Sequence, residues 1–184
     1  MRVDYWLRAY EVEQSASYTE LAKAMETMRK NGDITHIISI YTKVVNRMSN
    51  RDLLYFNEAS CKSIFITLVH TDGIYLIQSE KEANGGYSDL YIKENVLYKE
   101  EINYRYIIEF KHIKQSELKG DFDKLSQEEI LTLNDEYLSA KKEEAKQQLE
   151  RYVSDFNVLF DSEKELKKVI VITIARRIVV YLFI

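Results

Sequence analysis

The spacing of apolar residues along the chain changes near residue 73. Before that point, apolar positions recur three and four residues apart, which is the period of an amphipathic helix. Three helices are predicted there, one after SYTE (17–20), one after Asp33 and one opened by SNRD (49–52). SYTE has the form of a capping box, and Gly32 is placed to end the first helix. The predicted apolar faces are Leu21, Ala24, Met25 and Met28; then Ile34, Ile37, Ile38, Tyr41, Val44, Val45 and Met48; then Leu54, Cys61, Phe65 and Leu68.

Beyond residue 73 the period becomes two, which is typical of strands. The predicted strands are IYLIQSE (74–80), YSDLYI (87–92), YRYIIEFK (104–111), KVIVITI (168–174) and IVVYLFI (178–184). NGG (84–86) predicts a turn, and residues 114–135 predict a loop with a short helix. A long helix is predicted over 136–160, with Leu138, Ala145, Leu149, Tyr152 and Phe156 as its apolar stripe. This order predicts an α/β (α+β) layered domain.

Composition narrows the class of protein. The 184 residues include 46% hydrophobic and 30% charged residues, which predicts a globular fold with a full core. A single cysteine excludes an intrachain disulfide and a cysteine-based zinc site, and it favours a cytoplasmic setting. Charges interrupt the N-terminal segment and the longest apolar run is short, so neither a signal peptide nor a membrane span is expected. The net charge of −4 argues against bulk attraction to nucleic acid but leaves a local basic groove open.

The strand YIIEFKH (106–112) raises the first question of chemistry. In an extended chain Glu109 and Lys111 share one face, and Ile108 and Phe110 share the other. Asp89 also lies within a predicted strand, where aspartate is disfavoured. If these two strands form a hairpin, Asp89 falls opposite or nearly opposite Glu109, and two acids within about 5 Å repel. Either Lys111 or a divalent cation supplies the positive charge that such a pair requires.

Two helical residues also lie where apolar side chains are expected. Glu58 falls on the predicted apolar face of the third helix, and a buried carboxylate needs a partner. Gln148 lies on the flank of the long helix's apolar stripe. Each residue has a purely structural explanation: Glu58 can lie at the edge of its helix face or form a structural hydrogen bond, and Gln148 can be an ordinary helix-surface residue. The alternative is that both reach into a polar cleft over the sheet.

Taken in order, these motifs resemble those of a known family. RDLLYFNEASCKSIFITLV, SEKEANGGYSDLYI, YIIEFK and AKQQLERY resemble successive motifs of the PD-(D/E)xK nuclease superfamily, which has the restriction-endonuclease-like fold. The likeness is closest to the branch found behind AAA-ATPase-like domains in bacterial proteins. It covers residues 50–184 as a nuclease-like domain and leaves 1–49 as a helical N-terminal extension. The resemblance implies a central mixed sheet flanked by helices.

The resemblance also implies site residues and a cofactor. Asp89 and Glu109, with the backbone carbonyl of Phe110, would hold Mg²⁺ or Mn²⁺, and Lys111 would position the attacking water. Glu58 would complete the metal site directly or through water, and Gln148 would orient water or substrate. The expected substrate contacts are Tyr152, Lys146 and Arg151.

The function that follows is metal-dependent hydrolysis of nucleic acid, with DNA as the favoured substrate. The resemblance also implies an ATPase-like partner, or alternatively a homo-oligomer. The sequence itself contains no G-x-x-x-x-G-K-[ST] motif, so the chain is expected to have no ATPase motor of its own. Two alternatives stay open. The chain is either a non-catalytic nucleic-acid or protein interaction module that keeps the fold, or a truncated remnant of an ATPase-linked protein.

Overall fold

The computed structural model describes residues 18–49, 55–83, 86–159, 164–175 and 178–184, without the side chains of residues 72, 81–83, 86–87 and 153–159. The helices are α1 (Tyr18–Asn31), α2 (Thr35–Arg47), α3 (Glu58–Val69), α4 (Gln127–Leu133) and α5 (Asp135–Leu159). The strands are β1 (Tyr75–Ala83), β2 (Gly86–Glu94), β3 (Tyr104–Ile113), β4 (Glu165–Ile174) and β5 (Ile178–Phe183). Short 3₁₀ turns occupy His70–Asp72, Val96–Glu101 and Gln115–Glu117.

Within the described residues these strands form one sheet in the order β1-β2-β3-β4-β5. The β1–β2, β2–β3 and β4–β5 pairs are antiparallel, whereas β3 and β4 are parallel. A parallel pair needs a long crossover connection, and α4 and α5 provide it between β3 and β4. The predicted central mixed sheet with flanking helices is therefore confirmed.

Successive side chains of β3 point to opposite faces of the sheet and pack into two separate hydrophobic cores. Tyr106, Ile108 and Phe110 pack with buried residues of α1, α2 and α3. Ile107 points to the other face, where it packs with buried residues of α5 such as Leu149. Each such fully buried side chain contributes roughly 1.5–3 kcal/mol of hydrophobic stabilisation. Helices thus cover both faces of the sheet, and β3 lies between them.

The predicted apolar faces of α1, α2 and α5 are buried wherever their side chains are described, apart from Met48, which is partly buried. In α3, Cys61, Phe65 and Leu68 are buried as predicted, but the helix begins later than SNRD. Asn57 caps it, because its side chain accepts a hydrogen bond from the amide of Ser60 at 3.0 Å. Residues 55–57 are therefore outside the helix. Ser17, residues 50–54 and 84–85 and the Phe156 side chain lie outside the described part of the chain.

The two helices before residue 49 pack directly onto the sheet. Met28 and Tyr41 belong to the same buried cluster as Ile108 of β3. The hydroxyl of Tyr106 donates a hydrogen bond to the carbonyl of Met28. The division into an extension over 1–49 and a domain over 50–184 stays a prediction. None of the described helices has the length and apolar character that crossing a membrane requires.

Gly32 provides a test of how closely the α1–α2 connection approaches the sheet. It has a φ of +72°, and a Cβ atom there would lie 2.8 Å from Lys167 Cε and 3.0 Å from the Tyr104 ring. Gly73 has a similar φ of +67° but nothing within 4 Å of such a Cβ. We expect Gly32→Ala to lower the free energy of unfolding by about 2 kcal/mol and Gly73→Ala by about 1 kcal/mol, measured by urea denaturation. Equal losses for the two variants would contradict the close approach.

Candidate functional site

The candidate site lies where the pairing of β2 and β3 ends. Their last paired residues are Leu90 and Ile108, and the antiparallel register continued by one step brings Asp89 opposite Glu109. At that step Asp89 Oδ2 accepts a hydrogen bond from the amide of Phe110 at 2.8 Å. A side-chain carboxylate therefore replaces a backbone acceptor at this point of the ladder.

Glu109 is almost completely buried, with 1% of its surface exposed. Its Oε1 atom accepts a hydrogen bond from Lys111 Nζ at 3.1 Å. Its Oε2 atom is buried and has no hydrogen-bond partner among the described residues. A buried polar atom without a partner carries a desolvation cost that an additional positive group would offset.

Lys111 links β3 to the long helix. Its ammonium group donates to Gln148 Oε1 at 3.0 Å as well as to Glu109. Gln148 Nε2 in turn donates to the hydroxyl of Tyr152 at 2.9 Å. Gln148 and Tyr152 are four residues apart on α5 and so lie on the same side of the helix. Tyr152 is buried in the core under α5, so its ring is held in place by packing. Its hydroxyl therefore anchors Gln148, and through Gln148 the ammonium group of Lys111.

Glu58 reaches the same group from the opposite helix layer. As the first residue of α3, it places its Oε1 atom 4.0 Å from Lys111 Nζ. The prediction that Glu58 lies on the buried apolar face is wrong, because 47% of its side chain is exposed. The reason is the later start of α3, which puts Glu58 in the first turn beside the cap rather than in the middle of the helix.

The predicted substrate contacts on α5 are placed differently from one another. Tyr152 adjoins Gln148, as described above. Lys146 precedes Gln148 by two residues, so it points about 160° away around the helix. Arg151 is exposed and lies one turn beyond Gln148. The structure thus brings together Glu58, Asp89, Glu109, Lys111, Gln148 and Tyr152, and it leaves Lys146 on another side of the helix.

The cluster also contains one lysine and one acid that the sequence analysis did not assign to the site, Lys62 and Glu80. Lys62 is 8% exposed, and its Nζ atom donates to Glu80 Oε1 at 3.0 Å. The same Nζ atom lies 3.8 Å from Asp89 Oδ1. Two signals were present in the sequence. Lys62 follows Glu58 by one helical turn, and Glu80 falls nearly opposite Asp89 when the predicted β1–β2 hairpin is folded about its turn.

The ionisable groups at the centre of the site perturb one another. Burial, and then repulsion from Asp89, raises the pKa of Glu109 to about 7, although Lys111 acts in the opposite direction. Burial by itself would lower the pKa of Lys111. The carboxylates of Glu109 and Glu58 outweigh that effect, so the pKa of Lys111 is raised. The lysine therefore stays charged, while the proton occupancy of Glu109 changes near neutral pH.

The donor set is compatible with a small, hard divalent cation. Two carboxylates, those of Asp89 and Glu109, lie on adjacent strands and repel each other, and Glu109 Oε2 lacks a hydrogen-bond partner among the described residues. The amide and the carbonyl of one strand residue point to the same side, so the Phe110 carbonyl points toward β2, as its amide does. No three His, Cys, Asp or Glu side chains of the described residues form a ready metal cage. Mg²⁺, which keeps several water ligands, requires only one or two carboxylates.

Comparison with known proteins gives one family. A sequence model of the PD-(D/E)XK nuclease superfamily matches residues 56–181, about two thirds of the chain. The matched region runs from just before α3 to within β5 and contains every residue of the cluster described above. Neither the curated proteins nor the solved structures include a significant match.

The raised pKa of Glu109 predicts a pH dependence of stability. Between its ordinary pKa of 4.5 and the folded value of about 7, the folded state binds more protons than the unfolded state. The stabilising contribution is therefore complete below about pH 4.5 and is lost as the pH rises through 7, by on the order of 3 kcal/mol. We expect urea denaturation in EDTA to show this decline in the wild type and its absence in Glu109→Gln.

The exposed Glu150 on α5 offers a matched control. Glu150→Gln removes a carboxylate of the same type from the surface and should keep the wild-type decline. A wild-type stability that is flat between pH 4.5 and about 7, or a decline that survives in Glu109→Gln, would contradict the assignment.

Proposed function

This chain belongs to the PD-(D/E)XK nuclease superfamily, and we propose that it is a metal-dependent nuclease that hydrolyses phosphodiester bonds, with DNA as its substrate. Superfamily membership supports a nuclease-type function on nucleic acid in general. The Mg²⁺ dependence, the preference for DNA and the roles of individual residues are our proposal. It rests on the chemistry of the cluster at the end of the β2–β3 pairing.

One observation carries the proposal. Glu109 is a buried carboxylate with one oxygen atom that accepts no hydrogen bond from any described residue. A second carboxylate, Asp89, lies near enough to raise its pKa, and a lysine ammonium lies 3.1 Å from its other oxygen atom. A purely structural ion pair would satisfy both oxygens of its buried carboxylate. Here one oxygen is left for a group that is not part of the protein, and a second acid increases the demand for positive charge. That combination supports a divalent cation next to a charged lysine.

The proposed roles follow from the positions of the side chains. Asp89 and Glu109, with the Phe110 carbonyl, hold the cation, which would polarise a phosphoryl oxygen and lower the pKa of a bound water. Lys111 keeps its charge because acids surround it, and it stabilises the negative charge that develops on the phosphate. Gln148 fixes the direction of the lysine ammonium.

Glu58 and Tyr152 complete the arrangement from the two helices. The exposed carboxylate of Glu58 lies at the mouth of the site, where it can bind a water molecule or approach the cation. Tyr152 holds Gln148 from the core side of α5. Lys146 and Arg151 are proposed as contacts to the phosphate backbone away from the reacting group. An ATPase-like partner, or a second copy of the chain, is proposed from the resemblance of the motifs alone.

The decisive test is cleavage of DNA and RNA in the presence of Mg²⁺, Mn²⁺ or EDTA. We expect DNA cleavage with either metal and none in EDTA. Asp89→Asn and Lys111→Met should each lower the cleavage rate at least about hundredfold, because each removes a group that binds the metal or stabilises the transition state. The rates should be measured under single-turnover conditions.

Lys99 supplies a control of the same charge. It is exposed on the 3₁₀ segment between β2 and β3, away from the cluster, so Lys99→Met should cleave at the wild-type rate. Cleavage that persists in EDTA or in Asp89→Asn would overturn the proposed mechanism. Binding of nucleic acid without cleavage under any metal condition would instead support the non-catalytic interaction module.

A further inference from the structure

Lys62 is a lysine whose side chain is largely buried. It belongs to α3, one turn after Glu58, and only 10% of its side chain is exposed. Removing an ammonium group from water is unfavourable unless negatively charged groups lie close to it. Two acids do so here, since Lys62 Nζ lies 3.0 Å from Glu80 Oε1 and 3.8 Å from Asp89 Oδ1.

The second partner, Glu80, has a strained backbone. Its φ is +53°, in the left-handed region that is unfavourable for a non-glycine residue. The β1–β2 pairing runs through Ser79–Leu90 and resumes at Lys81–Ser88, so it omits the step at which Glu80 would face Asp89. Strain of this kind persists where surrounding interactions compensate for it. The hydrogen bond between Lys62 and Glu80 is one such interaction.

Asp89 is consequently held from two directions. Its Oδ2 atom accepts the Phe110 amide, and its Oδ1 atom faces the Lys62 ammonium. Both β-ladders around Asp89 are interrupted at this residue, so no regular backbone pairing at this step fixes its position. The two side-chain contacts take over that role.

The charges of the cluster show what Lys62 contributes. Four carboxylates come together there, and two ammonium groups, those of Lys62 and Lys111, lie among them. With all four acids ionised, the residual charge of −2 equals what one divalent cation would neutralise. The carboxylates are those of Glu58, Glu80, Asp89 and Glu109.

We propose that Lys62 is a built-in counter-cation that stabilises Asp89 in the metal-free protein and thereby sets the affinity of the site for a divalent cation. This inference rests on the proposed function. An ammonium group so close to a metal-ligand oxygen stabilises the carboxylate when no metal is present and repels a cation that binds there. Lys62 is thus a positioning residue: it contacts Asp89, the residue proposed to bind the metal, and not the substrate.

The first experiment needs no metal. Urea denaturation in EDTA is measured for the wild type, Lys62→Met, Asp89→Asn and the double variant. The introduced amide oxygen can still accept the Phe110 amide, so Asp89→Asn removes the charge and keeps that hydrogen bond. We expect the double variant to lose clearly less stability than the sum of the two single losses, because each single variant removes the same ion pair. Additive losses would overturn the inference.

The second experiment measures Mn²⁺ binding by calorimetry, so it does not depend on cleavage. We expect Lys62→Met to bind Mn²⁺ about tenfold more tightly than the wild type, because one competing positive charge is gone. Lys62→Arg keeps the charge and should bind within about threefold of the wild type. Circular dichroism checks that each variant is folded.

The two experiments separate failure of this inference from failure of the proposed function. If the wild type binds Mn²⁺ and Lys62→Met binds it equally or more weakly, the counter-cation role is wrong and the metal site stands. If the wild type binds no Mn²⁺, the proposed function fails, and the double-variant measurement in EDTA still decides whether Lys62 stabilises Asp89.

Discussion

The burial of Glu109 at the end of the β2–β3 pairing is the constraint on which the site depends. A carboxylate that is 1% exposed, with one oxygen lacking a partner among the described residues, is costly in a folded protein. The hydrogen bond from Lys111 offsets part of that cost. Proton uptake offsets another part, since the pKa of Glu109 is raised to about 7. Well-packed apolar residues in place of a buried ion pair are often as stable or more stable. Keeping an acid there points to a use for its charge.

The geometry of the sheet explains why groups from both helix layers meet at this acid. Elsewhere β3 sends alternate side chains to separate cores, one under α3 and one under α5. Where the pairing with β2 ends, side chains from the two layers approach the same lysine. Glu58 of α3 lies 4.0 Å from Lys111 Nζ, and Gln148 of α5 lies 3.0 Å from it. The end of the β2–β3 pairing is therefore the place where side chains from both layers meet.

Electrostatic balance connects this geometry to the proposed chemistry. Each ammonium group in the cluster contacts two carboxylates, so the fold is stabilised without fully neutralising the acids. The remaining negative charge favours a divalent cation over a monovalent one. In the proposed mechanism, a lysine that stays charged beside that cation would supply a second positive group for a phosphate. Both lysines and Glu109 are largely buried, whereas Glu58 and Glu80 are exposed.

Much of the architecture and part of the site were predictable from the sequence. Periodicity alone predicted every described strand and the long helix, because a half-buried strand and an amphipathic helix impose periods of two and 3.6 on apolar residues. Alternation and a hairpin register predicted that Asp89 lies near Glu109, and the antiparallel pairing of their strands and the repulsion between the two acids agree with this. The superfamily resemblance, carried by four motifs in order, agrees with the family match over residues 56–181.

The tertiary structure decided where α3 begins and which side chains from distant segments of the chain contact each other. The start of α3 depends on the Asn57 cap, which competes with SNRD as a start signal, and it determines that Glu58 is exposed. From the sequence, Lys62 is indistinguishable from an ordinary helix-surface residue. Only in the folded structure do β1 and β2 place Glu80 and Asp89 next to it. Periodicity reports which face a residue occupies. It does not report which charges from other elements share that face, because those distances arise only when the layers pack.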